Sequence, residues 1–156
     1  MFKMLSLVVS HTATALAGFA LGIYMLPILM APSAPPENAV QQVEQAATYR
    51  TTFSKERADS DFLHWGEGDV FISAKEIAFS GELAPGPAYK LYLSPVYVET
   101  EAAFAEHQSK MLKVGDIATF DRFVVPLGDN VDLSQYNSVI VWCESFDQYI
   151  TSAQFK

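Results

Sequence analysis

The chain has 156 residues, half of them hydrophobic, with 18 acidic side chains against 10 basic ones and a formal net charge of −8. That length allows one domain plus appendages with enough apolar material for a core, so disorder is excluded as the overall state. The acidic balance argues against holding nucleic acid or anionic lipid headgroups by charge, since both need a positive counterpart; a single cysteine, Cys143, rules out an intramolecular disulfide.

Met4 to Ala31 contain no Asp, Glu, Lys or Arg, and a helix over that stretch can cross a hydrocarbon layer of about 30 Å even when tilted. Lys3 is the only fixed positive charge before it, and no basic residue follows until Arg50. This asymmetry predicts residues 1–3 in the cytoplasm, 4–31 as a signal anchor, and the remainder in the periplasm or outside the cell. A cleaved signal peptide is the rival reading. The stretch is longer than a signal core, and Pro32, Pro35 and Pro36 crowd most cleavage points, so a retained anchor is preferred. Gly18 and Gly22, flanked by Ala13, Ala15 and Ala17, have the small-residue spacing of a dimerising membrane helix, a short pattern common in membrane segments. His11 lies within the span, where a position near the interface or against another helix is expected.

Residues 32–58 are expected to form a stalk. APSAPPEN, residues 31–38, is proline-rich and extended. Val40, Val43 and Ala47 recur at helical spacing and predict a short amphipathic helix within residues 37–50. Residues 51–60 are polar and charged, as in a tether.

Residues 59–156 alternate short strands with turns. Strands are expected over 70–73 and 76–80 around a turn at Ala74 and Lys75, over 89–94 after a turn on Pro85, Gly86 and Pro87, and over a short piece near 96–98. Residues 99–112 predict the one helix, capped by Thr100, closed before Gly115 and carrying Glu106 and Lys110 at i, i+4 spacing. Further strands are expected over 118–125, 138–142 and 149–155. Strands dominate with no crossover pattern, which predicts an all-β antiparallel sandwich with one short helix, preceded by a single transmembrane helix and a linker.

In SVIVWCESF, residues 138–146, alternation puts Val139, Val141 and Cys143 on one face of a strand and Ile140, Trp142 and Glu144 on the other. Both faces are apolar, as in a central strand, and free cysteine is among the most buried residue types. Glu144 and Asp147 are expected to raise the thiol pKa. Residues 61–69, with Asp61, His64, Glu67 and Asp69, have oxygen and nitrogen donors but no two-histidine zinc spacing, and they read as a loop entering a strand rather than as a metal site. Asp132 followed by Gln135 predicts a capping pair on a short turn rather than a calcium site. Cys143 with His64 or His107 is a conceivable catalytic pair, although nothing in the sequence selects it. No nucleophile elbow, phosphate loop or Cys-x-x-Cys is present, and no catalytic residue is assigned.

Taken together, residues 66–156 resemble the DM-thirteen domain, a module that accompanies DOMON domains. The resemblance is carried by GELAPGPAYKLYLSP with Gly81, Pro85, Gly86, Pro87 and Tyr92; by KVGDIATFDRFVVPL with Gly115, Phe120 and Phe123; and by VDLSQYNSVIVWCESFDQYITSAQF with Tyr136, Trp142 and Cys143. It implies a β-sandwich in which Gly81, Pro85, Gly86, Pro87 and Gly115 make the fold and Cys143 is the signature residue. It further implies a redox or electron-transfer role centred on Cys143, with Trp142 as its companion and a haem-like cofactor as one route. The alternative is a non-catalytic interaction or structural module of the cell envelope, meeting an envelope protein, with Cys143 buried in the core.

Overall fold

The computed structural model describes residues 2–156. It begins with a 29-residue helix, α1 (Phe2–Met30), none of whose residues is buried. By length and composition α1 is the one helix among the described residues able to cross a membrane. Gly18 and Gly22 leave open space around them, and His11 Nδ1 bonds the Leu7 carbonyl of its own helix at 2.8 Å. After six residues comes α2 (Glu37–Ala46).

The rest is an antiparallel sandwich: β1 (Tyr49–Phe53), β2 (Gly66–Ile72), β3 (Glu76–Leu83), β4 (Tyr89–Ser94), α3 (Glu101–His107), β5 (Leu112–Ile117), β6 (Arg122–Pro126), β7 (Ser138–Cys143) and β8 (Gln148–Gln154). Single 3₁₀ turns occupy Gln108–Lys110 and Leu133–Gln135. One sheet has the order β1-β2-β3-β6 and the other β5-β4-β7-β8, every pairing antiparallel.

Three apolar layers hold these parts together. Between the sheets lie Phe79, Leu91, Val139, Val141, Cys143 and Ile150 with their neighbours. Outside the second sheet, α3 lowers Phe104 onto Tyr92, Ile140, Trp142 and Tyr149. Outside the first sheet, α2 buries Val40 and Val43 against Phe71 and Ala78. Burying each valine is worth about 1.5–3 kcal/mol. α2 depends on this contact, because a ten-residue helix is marginal alone and its N-cap, Pro36, makes no side-chain cap bond. β7 is buried on both faces along its whole length, as its unbroken apolar run requires.

Several expectations need correction. The stalk is part of the folded unit: α2 docks on the sandwich, and Tyr49–Phe53, which reaches into the expected tether 51–60, forms edge strand β1 on β2. Its polar YRTTF buries only Phe53, the profile of an edge. Of the expected strand 118–125 only the second half is strand, β6, while Ala118–Asp121 is the connection to an unforeseen strand, β5; β5 claims Leu112, so the helix is shorter than predicted. Glu106 therefore has no i, i+4 partner in Lys110, and His107 Nε2 lies 4.0 Å from its carboxylate. Residues 96–98 are loop, and the Val96 carbonyl accepts from Ser138 Oγ at 2.7 Å. The Thr100 hydroxyl caps α3 by accepting from the Ala103 amide at 3.1 Å, and Asp132 accepts from Ser134 N and Gln135 Nε2.

The glycines and prolines of the resemblance act in three places. Gly68 and Gly81 face each other across β2 and β3; Gly68 has φ +139°, and a Cβ on Gly81 would strike the Glu67 carbonyl, so neither accepts a side chain. A Cβ on Gly115 would meet Val125 at 2.7 Å, where β5 approaches β6. Gly86 lies flat against the Tyr89 ring in the Pro85-Gly86-Pro87 turn that joins β3 to β4.

Candidate functional site: a cavity over Cys143

Cys143 ends β7 directly opposite Tyr89, the first residue of β4. Both point between the sheets, where the sandwich opens at one end. Two turns flank the opening, residues 84–88 before β4 and residues 144–147 after β7. They are tied together: Cys143 Sγ donates to the Pro87 carbonyl at 2.9 Å, and the Glu144 amide to the Ala88 carbonyl at 3.2 Å. Tyr89 Oη donates to the Ala84 carbonyl at 2.8 Å. Each turn contains a non-glycine residue with left-handed backbone, Ala88 and Asp147, both at φ 53°. Such strain clusters where a chain is over-determined by its surroundings, functional sites included. The β7–β8 ladder also slips between Val141 and Trp142, and the extra residue, Ile150, faces the same opening.

The opening is a cavity of about 400 Å³ with an almost wholly apolar lining: Leu63, Pro85, Pro87, Phe146 and Ile150 around Tyr89 and Cys143, and Ala20, Ile23 and Tyr24 from α1. His64 and Gln148 supply the polar edge. Cys143 is 2% exposed and lies at the floor. Burial pushes its thiol pKa up, while the backbone amides of Phe146 and Ser145, directed at the sulfur, work in the opposite sense. The expectation that Glu144 and Asp147 would raise it is corrected. Glu144 turns to the other side of the sheet, where it accepts from Tyr92 Oη at 2.8 Å and Lys113 Nζ at 3.0 Å.

Trp142 is likewise not beside the sulfur. It faces outward beneath α3, stacked on Phe104 with ring centroids 3.8 Å apart and planes 5° from parallel. His64 shares the cavity with Cys143, but the two make no hydrogen bond: Sγ is committed to Pro87, and His64 Nδ1 pairs with Asp61 Oδ2 at 3.0 Å. Burial works to raise the Asp61 carboxyl; the His64 ring and the Leu63 and His64 amides outweigh it and hold the group below the usual carboxylate range. His107 lies elsewhere, beside Glu106. Sequence reasoning missed the cavity itself, since Leu63, Pro87, Phe146 and Ile150 come from four separate segments. The isolated apolar pair Phe62-Leu63 in a polar loop was the one local signal.

Residues 58–155 match the family described as Electron transfer DM13. The chain belongs to the DM13 family. No curated protein and no solved structure matches it. The match begins five residues after β1 ends, so α1, α2 and β1 are additions to the DM13 region. The cavity does not suit a haem-like group. Its lining includes neither Lys nor Arg to meet buried carboxylates, which are costly unless paired. Its volume lies near the bottom of the range of about 300–1,000 Å³ for ligand sites, with the sulfur turned toward a backbone carbonyl.

Proposed function

We propose that this DM13 chain is a membrane-anchored, extracytoplasmic redox module in which Cys143 is the group that exchanges electrons, by thiol–disulfide exchange with a disulfide-bearing envelope protein. The carrying observation is that the one thiol of the chain forms the floor of an open-sided apolar cavity, with two turn amides directed at its sulfur. The Cys143 thiolate attacks one sulfur of the partner disulfide; the S–S bond breaks, a mixed disulfide forms on Cys143, and the departing thiolate takes up a proton. Cys143 is oxidised and half of the partner disulfide is reduced; a second thiol reverses the step. The length of α1 and the position of Lys3 support the anchor and its orientation.

A second reading rests on the 2% exposure of Cys143 and its bond to Pro87: a core thiol fastening two turns of an interaction module. Equilibrating the full-length protein with glutathione redox buffers and weighing it intact separates the two. The redox reading expects a glutathione adduct on folded protein, absent from Cys143→Ala, with a midpoint that thermal unfolding curves show to be reached without loss of the fold. Adduct formation only in denaturant leaves the core reading.

A further inference from the structure

Among the described residues after Met30, three large apolar side chains are exposed: Phe62 at 86%, Leu63 at 40% and Phe146 at 55%. All three belong to the two loops at the cavity end of the sandwich, residues 58–65 and 144–147. The opposite end, with the β2–β3 turn at Ala74 and Lys75, has none. Ala20, Ile23 and Tyr24 of α1 line that same cavity, so the anchor and the apolar tip meet.

Their level relative to a bilayer follows from helix geometry. At 1.5 Å per residue, about 20 residues counted from Lys3 cover a hydrocarbon layer of about 30 Å. The outer boundary then falls at Ile23 and Tyr24, and a tyrosine is at home there. The connector from Ala31 to Pro36 reaches about 20 Å at most, which keeps the domain beside its anchor. After residue 31 the chain carries 18 acidic residues against nine basic ones, a net charge of −9, so attraction to anionic headgroups cannot hold it down.

From this convergence we propose that the cavity end of the sandwich docks on the outer face of the bilayer crossed by α1, with Phe62, Leu63 and Phe146 inserted in the interfacial layer. The partner is the apolar boundary of the membrane itself. The cavity over Cys143 then opens toward the lipid interface rather than toward bulk water. The inference rests on the anchor half of the proposed function and not on the chemistry of Cys143.

The test uses full-length protein in vesicles of phosphatidylcholine with and without brominated acyl chains, which quench tryptophan on contact. Four variants add one tryptophan each: Phe146→Trp and Phe62→Trp at the tip, Lys75→Trp at the far end, and Leu16→Trp in α1. The emission of Trp65 and Trp142 is subtracted using the parent protein. Docking predicts that brominated lipid removes more than half of the added emission at 146, 62 and 16 and leaves that at 75 unchanged. Quenching at 16 alone overturns docking and leaves the anchor intact. No quenching at 16 overturns the anchor, and docking with it. Blue-shifted but unquenched emission at 146 means that protein, such as a second copy, covers the tip, and also overturns the proposal.

Discussion

Trp142 and Cys143 are adjacent in sequence and nearly equally buried, at 3% and 2% exposure, yet they occupy opposite kinds of surroundings. Trp142 lies under a lid: α3 covers it, Phe104 stacks on it, and Tyr92 meets Phe104 edge-on at 5.2 Å. Cys143 sits on the other face of the same strand, where the inter-sheet core ends in a cavity. Low exposure therefore means two things here. One residue is sealed by a packed helix, and its neighbour is withdrawn to the bottom of an opening.

The widest separation between the two is expected from Trp142→Ala, which should cost about 3–5 kcal/mol of stability, read from urea unfolding. Thiol reactivity of Cys143 below the unfolding transition should stay unchanged. A parallel rise in reactivity under native conditions would show that the faces are coupled. Next in size is Cys143→Ala, at about 1–3 kcal/mol, because the Pro87 carbonyl loses its donor. Cys143→Ser keeps a donor and should recover part of that loss; equal costs for both variants would dissolve the role given to the Pro87 bond. Loosening the lid by Thr100→Ala removes the α3 cap and should cost about 1 kcal/mol, with the change in near-ultraviolet dichroism confined to the Trp142 side.

Smallest is the pH dependence of the Tyr92–Glu144–Lys113 cluster on the outer face. The Tyr92 hydroxyl, then Lys113, hold the Glu144 carboxyl below its ordinary value of 4.5. Its contribution is complete above that pH and is lost as pH falls through the lower, folded value. Burial first, and Glu144 second, push Tyr92 up to about 12. The neutral hydroxyl thus contributes fully below pH 10 and is lost as pH rises through about 12. At this half-exposed position Glu144→Gln should cost under about 1 kcal/mol, visible as a flatter acid limb of the stability profile; an unchanged limb would remove the carboxylate from the account.

Legibility in the sequence followed how local each signal was. β4 begins at Tyr89 and ends at Ser94, the bounds its apolar alternation predicts. The opposite facing of Trp142 and Cys143 follows from period two, the Thr100 cap from a threonine set just before a helical run, and the Asp132 cap from Gln135 three positions on. β1 was not legible because an edge strand needs little apolar character: Arg50 and Thr52 face water, and the partner that makes YRTTF a strand is β2, which begins thirteen residues after β1 ends. The connection Ala118–Asp121 between β5 and β6 was hidden by its apolar Ala118 and Phe120, and its turn is fixed by tertiary contacts: the Phe120 and Asp121 carbonyls accept from Leu83 and Gly81 of β3. The cavity was hidden for the same reason, since its walls are distant in sequence.

α2 was expected to be part of a free stalk and is instead stowed along the outer face of the first sheet, held there chiefly by Val40 and Val43. Its docking sets the length of a leash. With α2 in place, the play between α1 and the domain is the connector from Ala31 to Pro36, about 20 Å fully extended. Were those two valines to let go, the free tether would run from Ala31 to Thr48, about 60 Å fully extended, and the cavity end could move well away from α1. A pair of small side chains thus decides how far from α1 this domain can reach.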